Sequence, residues 1–524
     1  MIPRSTIKAF LRRPLRDCNA YKSLSEKQLD EQMNELPVQP PIWFKLYHHQ
    51  KVCFIAGAKL KRLYFMNDTG TGKTLLSVAL IRYFRRLKRV RCTLVLVPTK
   101  IVKYEWAREI EKHSPKTTCC VLAGSSQQKW ETLARDNPMI AITTYAGLLH
   151  MVCDMGTIKR KNKPDRTGLI PSRTKLKELL SIVNGLVMDE ATAVKTRGKL
   201  PFRICRQISK RAEIVFALSG TPFDDPSDLW AQMYLVDHGE TLGKTLGLYR
   251  EVFFNSDTNY WGGGMEYTFK SSMNGELHRI LANRSLGYEA NAADLPRVVP
   301  IQKNIRLPVD VVVYADRAEQ ALMNAHGDYR LMKNAFLRMR QISSGFLGYY
   351  DDDEGTKAEF EFDDIPKLDL LMSIIDSIQS AYKIIVFHEF IHSADMIARK
   401  LAERKIDCVR IYGKTKEHAK LLHRFDHDPD CRVMLLQNSS GFGLNTQIAR
   451  YGIFYESPVT PSLRKQTRRR VERQGSKHER VFIYDLVVLG TYDQRILTAL
   501  ARGEDAFQSI VRGRNDLSTG KTKK

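Results

Sequence analysis

Little in this 524-residue chain stays apolar for long. No stretch approaches the roughly 18 consecutive apolar residues of a membrane span, so no membrane-crossing helix is expected. Arg12, Arg13 and Pro14 interrupt the N-terminus, and no signal-peptide core is expected there. The nine cysteines, at 18, 53, 92, 119, 120, 153, 205, 408 and 431, include no Cys-x-x-Cys pair and no His–Cys cluster. That spacing argues against a zinc site or a disulfide framework and fits reduced, mostly buried thiols in a cytoplasmic protein. Negative charge is also scarce: 58 Asp and Glu face 83 Lys and Arg, a net charge of +25. Cationic surface gains free energy by displacing condensed counterions from nucleic acid, so a polyanionic partner is expected. A basic surface kept for solubility is the other reading of the same excess.

What is present is punctuated by one glycine-rich segment. Asn67-Asp68-Thr69-Gly70-Thr71-Gly72-Lys73-Thr74 follows the apolar run Leu63–Met66 and precedes a helical pattern that begins at Leu75. Strand, loop and helix in that order make a phosphate-binding loop. Gly70, Thr71 and Gly72 bring backbone N–H groups around the β-phosphate, Lys73 reaches the β- and γ-phosphates, and the Thr74 hydroxyl holds Mg²⁺. The strict motif has glycine where this chain has Asn67.

A second element turns nucleotide binding into hydrolysis. The apolar run Gly185-Leu186-Val187-Met188 delivers two carboxylates, Asp189 and Glu190. Asp189 would stand behind the Mg²⁺ held by Thr74, and Glu190 would polarise the water that attacks the γ-phosphate. Paired acids also occur at ordinary strand ends, and it is the upstream loop that gives this pair its meaning.

Continuous apolar runs alternate with helical stretches twice along the chain, the pattern of a parallel sheet covered on both faces. The first series comprises 93–98, 139–145, the Asp189 strand and 214–218; the second comprises 383–387, 408–412, 433–436, 451–455 and 480–484. The expected fold class is α/β, with two parallel-sheet lobes in tandem and helical insertions between them. Residues 1–40 form an N-terminal extension and 41–305 the first lobe, with a helical insertion from about 226. Residues 306–500 continue the insertion to about 365 and then form the second lobe; 501–524 are a basic tail. Asp351–Gly355 reads as a solvated acidic linker. Between Met155 and Leu180, eight Lys or Arg (159, 160, 161, 163, 166, 173, 175, 177) mark a polar insertion, either a DNA contact or a surface loop.

From about residue 44 to 500 the chain resembles the Swi/Snf-like branch of superfamily 2 helicases, double-stranded nucleic-acid translocases with two RecA-like lobes. Leu46-Tyr47-His48-His49-Gln50 is similar to the segment whose glutamine recognises adenine, which implies that role for Gln50. Val97-Pro98-Thr99 with Trp106 and Glu109, then Thr143-Thr144-Tyr145, Leu218-Ser219-Gly220-Thr221-Pro222 and Leu337–Ile342 resemble successive motifs of the family. Gly441-Phe442-Gly443-Leu444-Asn445 resembles the turn that contacts the tracked strand, and Gln466 to Gly475 the segment carrying two arginines, Arg470 and Arg473. Arginines supplied by the second lobe would stabilise charge on the transferring phosphoryl group and tie hydrolysis to motion. Because Arg464, Lys465, Arg468 and Arg469 crowd the same segment, a basic helix that merely binds phosphate is the alternative. Gly490-Thr491-Tyr492-Asp493 completes the series.

Thr192 replaces the usual histidine after the acidic pair, Ser476 the usual glutamine after Gly475, Ala282-Asn283-Arg284 the paired arginines, and Ser457–Pro461 the Trp-Asn-Pro segment. The resemblance implies a DNA-dependent ATPase that uses ATP and Mg²⁺ and moves along double-stranded DNA held by its backbone, in a compact form like bacterial or bacteriophage members. Three other readings stand beside it: a strand-separating or branch-remodelling helicase or RNA helicase, a nucleic-acid-binding subunit without motor activity, and an unrelated phosphate-loop enzyme such as a kinase.

Overall fold

The computed structural model describes residues 2–38, 46–68, 70–159, 164–223, 225–259, 264–289, 295–325, 328–351, 356–413, 415, 417–440, 446–472, 476–506 and 509. The chain packs into two units: Met1–Thr258 with Met265–Ala290, and Asn291–Lys524 with the short stretch Asn259–Gly264.

The first unit is built on β1 (Arg62–Phe65), β2 (Thr93–Val97), β3 (Cys119–Val121), β4 (Ile140–Thr144), β7 (Gly185–Asp189), β8 (Ile214–Leu218) and β11 (Ser285–Leu286). These lie in the order β11-β1-β8-β7-β2-β4-β3, every pair parallel. All residues of β2 and β8 are buried, as their unbroken apolar sequences require of strands covered by helices on both faces. The helix Lys73–Arg86 buries Leu76, Val78, Leu80 and Phe84, and the helix Leu200–Arg211, opened by Pro201, buries Phe202, Ile204, Cys205 and Ile208. The N-terminal extension joins this unit. Phe10 enters its core, Cys18 donates its N–H to the Ala282 carbonyl (2.8 Å), and Lys51 pairs with Glu26 (2.7 Å) and Asp30 (2.6 Å).

The polar insertion between β4 and β7 is ordered structure. It forms an antiparallel hairpin of β5 (Cys153–Ile158) and β6 (Arg166–Pro171), followed by the helix Arg173–Ile182; residues 160–163 lie outside the described set. The stretch from 226 onward is less helical than its sequence pattern implied. It contains the helices Leu229–Asp237 and Leu246–Phe253 but also β9 (Phe254–Asn259) paired with β10 (Gly264–Phe269).

The second unit carries β12 (Arg297–Ile305), β15 (Ile384–His388), β16 (Asp407–Ile411), β17 (Cys431–Gln437), β18 (Tyr451–Phe454) and β19 (Arg480–Val488), in the order β12-β19-β18-β15-β17-β16 and again all parallel. Residues 297–305, expected in the first lobe, are therefore an edge strand of the second. They pair with β19 from Arg297↔Arg480 to Ile305↔Val488. An edge position also tolerates Pro300, which has no N–H to donate. A second cluster forms where the helices Val309–Asn324, Tyr329–Ser344 and Tyr492–Ala501 pack through Val311, Phe336, Met339 and Ile496. β13 (Phe346–Asp351) and β14 (Thr356–Glu361) form a hairpin with Asp351 opposite Thr356, and 352–355 of the acidic run lie outside the described residues.

Candidate active site

Parallel α/β sheets present their loops for ligands at the carboxyl ends of the strands. In the first unit the motif residues occupy that edge: Asn67–Thr74 after β1, Thr99 after β2, Tyr145 after β4, Asp189 and Glu190 at the end of β7, and Ser219 after β8.

The loop's shape depends on its glycines. Gly70 and Gly72 have φ of 85° and 79°, where L side chains are strained, and a Cβ on Gly72 would lie 2.4 Å from Gln50 Nε2. Lys73 opens its helix and donates its ammonium to the carbonyls of Asn67 (2.8 Å) and Asp68 (3.0 Å); the Thr71 hydroxyl also donates to Asp68 O (2.8 Å). Gln50 is buried. Its Nε2 donates to Thr71 O (3.2 Å), and its Oε1 accepts from the Tyr47 N–H (3.1 Å), so it ties the helix His48–Leu60 to the loop.

Asn67 has a structural reason of its own. Its Nδ2 donates to Cys53 Sγ (3.4 Å) and its Oδ1 accepts from Tyr288 N (3.1 Å), while Asp68 N donates to Tyr288 O (2.8 Å). An amide serves as donor and acceptor at once, which glycine cannot do.

Asp189 accepts from Trp106 Nε1 (2.8 Å) through Oδ2 and from the Glu190 N–H (3.2 Å) through Oδ1; its own carbonyl accepts from the Tyr145 hydroxyl (2.9 Å). Burial pushes its carboxyl above the ordinary carboxylate range, opposed by the Trp106 hydrogen bond and the Lys73 charge. Glu190 sits at φ 48°, uncommon for a non-glycine residue, with its Oε2 accepting from Ser219 Oγ (3.0 Å). Ser219 Oγ in turn accepts from Thr221 N (3.2 Å). Its neighbouring motif therefore senses the acidic pair directly. The resemblance assigned no contact to Trp106, Tyr145 or Ser219; the tryptophan nine residues after the end of β2 is visible in sequence, but its bond to Asp189 is not.

This cradle suits a nucleotide triphosphate and its cation. Among the described residues no cluster of three His, Cys, Asp or Glu could hold a metal ion by itself. Mg²⁺ would take the Thr74 hydroxyl and the Asp189 carboxylate and complete its shell with phosphate oxygens and water, as Mg²⁺ sites commonly do.

In the second unit Arg470 is buried, and it lines a small cavity with Gln437, Asn438, Gln466 and Thr467. Its carbonyl accepts from Thr446 Oγ1 (2.9 Å). The neighbouring arginines have structural partners. Arg464 pairs with Asp485 (2.7 Å) and lies 3.5 Å from the Phe454 ring centroid, while Arg468 and Arg469 meet Glu472 at 3.0 and 3.4 Å. That argues against the whole helix being a bare phosphate-binding surface. Arg473 and the Gly441–Asn445 turn lie outside the described residues.

His388 ends β15 fully buried, its Nδ1 donating to Phe390 O (2.9 Å) and its Nε2 without a partner. Burial pushes its pKa down from 6.5 to about 4, against the raising influence of the Phe390 carbonyl, Glu389 and Asp395 and with that of Arg410. Because its pKa is depressed in the folded state, stability present above pH 6.5 is lost as pH falls toward 4. The loss should reach about 3 kcal/mol at the acid end. Urea midpoints at pH 7 and pH 5 should fall less in His388→Asn than in the parent; an equal fall in both would show that His388 does not titrate with folding.

The SNF2-related domain model matches residues 47–248, and the helicase conserved C-terminal domain model matches 366–475. DNA annealing helicase and endonuclease ZRANB3 of Bos taurus is 22% identical over 466 residues, covering 86% of this chain and 39% of that protein. YwqA of Bacillus subtilis, named as an ATP-dependent helicase/translocase, is 21% identical over 475 residues, covering 86% of this chain and 47% of its own length. The chain thus spans less than half the length of these curated relatives. A solved Sulfolobus solfataricus SWI2/SNF2 ATPase core in complex with dsDNA is 22% identical and covers 89% of this chain and 93% of that one. Its TM-score, 0.39, is too low to carry geometry across. The chain thus carries an SNF2-related domain followed by a helicase conserved C-terminal domain, with a parallel sheet under each.

Proposed function

We propose that this protein is an ATP-driven motor that moves along double-stranded DNA. The observation that carries the reading is the hydrogen bond between Ser219 and Glu190 (3.0 Å), which joins the hydrolytic carboxylate to the loop after β8 beside a complete phosphate cradle. In this reading Gln50, Gly70, Thr71, Gly72, Lys73 and Thr74 bind ATP. Mg²⁺, held by Thr74 and Asp189, would neutralise charge on the phosphate oxygens. Glu190 orients the attacking water, Trp106 keeps the Asp189 carboxylate in place, and Arg470 with Arg473 stabilises charge developing on the phosphoryl group.

The net charge of +25 and the names of the relatives, a DNA annealing helicase and a helicase/translocase, support DNA as the track. Contacts to the sugar-phosphate backbone carry no sequence information, so binding should be insensitive to sequence and strongly weakened by salt. With all nine cysteines unpaired, a cytoplasmic site of action fits.

ATP hydrolysis measured at fixed salt with no nucleic acid, single-stranded DNA, duplex DNA, forked DNA and double-stranded RNA tests the reading. Selective stimulation by plain duplex DNA is expected. Preference for forks or single strands would indicate a strand-separating helicase, preference for double-stranded RNA an RNA-directed enzyme, and no hydrolysis a binding subunit.

A further inference from the structure

The helix Leu200–Arg211 has an outer face that the nucleotide chemistry does not use. Arg203, Arg206, Gln207, Lys210 and Arg211 are exposed, at spacings i, i+3, i+4, i+7 and i+8. They make one stripe about 12 Å long. With Leu180 of the helix Arg173–Ile182, these residues line a groove of about 470 Å³ that contains no acid. Arg203, Lys210 and Arg211 form no ion pair among the described residues, and Arg206 lies 5.4 Å from the Tyr234 ring centroid. Arg173 and Lys177, part of the basic insertion noted in the sequence, are exposed on the same helix and share Leu180's face by their i, i+4, i+7 spacing.

Topology separates this groove from the phosphate cradle. The helix descends from the carboxyl end of β7 to the amino end of β8, so Lys210 and Arg211 lie at the sheet edge opposite the Asn67–Thr74 loop. Four cations on one stripe repel one another, and an anionic ligand would relieve that cost. Phosphates of one strand advance about 3.4 Å along the duplex axis, so the stripe spans about three or four of them. No aromatic ring lines the groove, so it offers no platform for unstacked bases. Its chemistry suits the outside of a duplex.

We propose that this groove binds the phosphate backbone of a second DNA duplex while the first is engaged as motor track, so that one molecule holds two duplexes. The inference rests on the DNA-motor reading for the identity of the first duplex.

The test uses the full chain, one immobilised duplex and one fluorescent duplex. The parent should retain the labelled duplex, and Arg203→Ala/Lys210→Ala/Arg211→Ala should lose that capture by about tenfold or more, with the slope of log affinity against log salt reduced by about 2 to 3. ATP hydrolysis on a short saturating duplex should be unchanged. Arg203→Lys/Arg211→Lys, which keeps the charge, should retain capture, showing that loss in the alanine variant is not misfolding. Unchanged capture and slope in the alanine variant, no capture by the parent, or displacement by polyglutamate with no response to DNA would overturn the proposal. Duplex-stimulated hydrolysis with an unaltered slope would sink the groove alone; a reduced slope without any stimulated hydrolysis would sink the motor reading and leave a DNA-binding groove.

Discussion

Lys73→Ala is expected to lower ATP turnover by at least about 100-fold, the usual cost of removing one preorganised donor that meets transition-state charge. Lys73 places its ammonium within 3.0 Å of two loop carbonyls, so it sits among the groups that would surround the β- and γ-phosphates. Folding should survive. The side chain is partly exposed and its ammonium donates to two backbone carbonyls, so the change in unfolding free energy should stay within about 1 kcal/mol. Phosphate release at saturating ATP and duplex DNA, measured beside a thermal melt, checks both statements. Turnover retained by a folded Lys73→Ala protein would remove Lys73 from the site.

Asp493→Ala should be the most destabilising of the single substitutions considered, by about 3 to 5 kcal/mol, because it strands a buried ammonium. Lys367 and Asp493 meet at 2.7 Å with side-chain exposures of 2% and 12%. The Asp493 carboxylate also accepts from Ser343 Oγ (3.2 Å) and Val488 N (3.2 Å). One acid thereby fastens three helices, Tyr329–Ser344, Pro366–Ser377 and Tyr492–Ala501, to the end of β19. Urea unfolding should show the loss, and Lys367→Met/Asp493→Leu should recover much of it, since a well-packed apolar pair need not cost stability where an ion pair stood. A loss below about 1 kcal/mol for Asp493→Ala would mean that water reaches the pair.

How much of this was legible in sequence follows from the range of the forces involved. β2, β7, β8, β15 and β17 announce themselves as apolar runs because both of their faces are covered, and Gly70, Gly72 and Lys73 because a phosphate cradle needs those residues at those spacings. The β5–β6 and β9–β10 hairpins do not. Arg166-Thr167-Gly168-Leu169-Ile170-Pro171 is too polar and too short to separate from a loop without its partner strand. The placement of β12 rests on pairing with β19, a contact far away in sequence that periodicity does not encode. Within the site, Glu190 and Asp189 could be picked out as acids, but the donors that hold them come from elsewhere in the chain, Ser219 from the loop after β8 and Trp106 from the helix Lys100–His113. Arg464 shows the opposite limit: its sequence neighbourhood reads as a phosphate-binding helix, yet it is a structural tie to Asp485 stacked on Phe454.

The pairing of β12 with β19 also decides where the gene can be cut. A separately expressed second lobe begun at residue 306 would discard β12 and bare the flank of β19, nine residues long, as a row of unsatisfied amides and carbonyls. Such a flank recruits other chains and invites precipitation. Starting the fragment at residue 295 keeps the native neighbour in place, with its charged Arg297 and Lys303 guarding the rim against further strand addition.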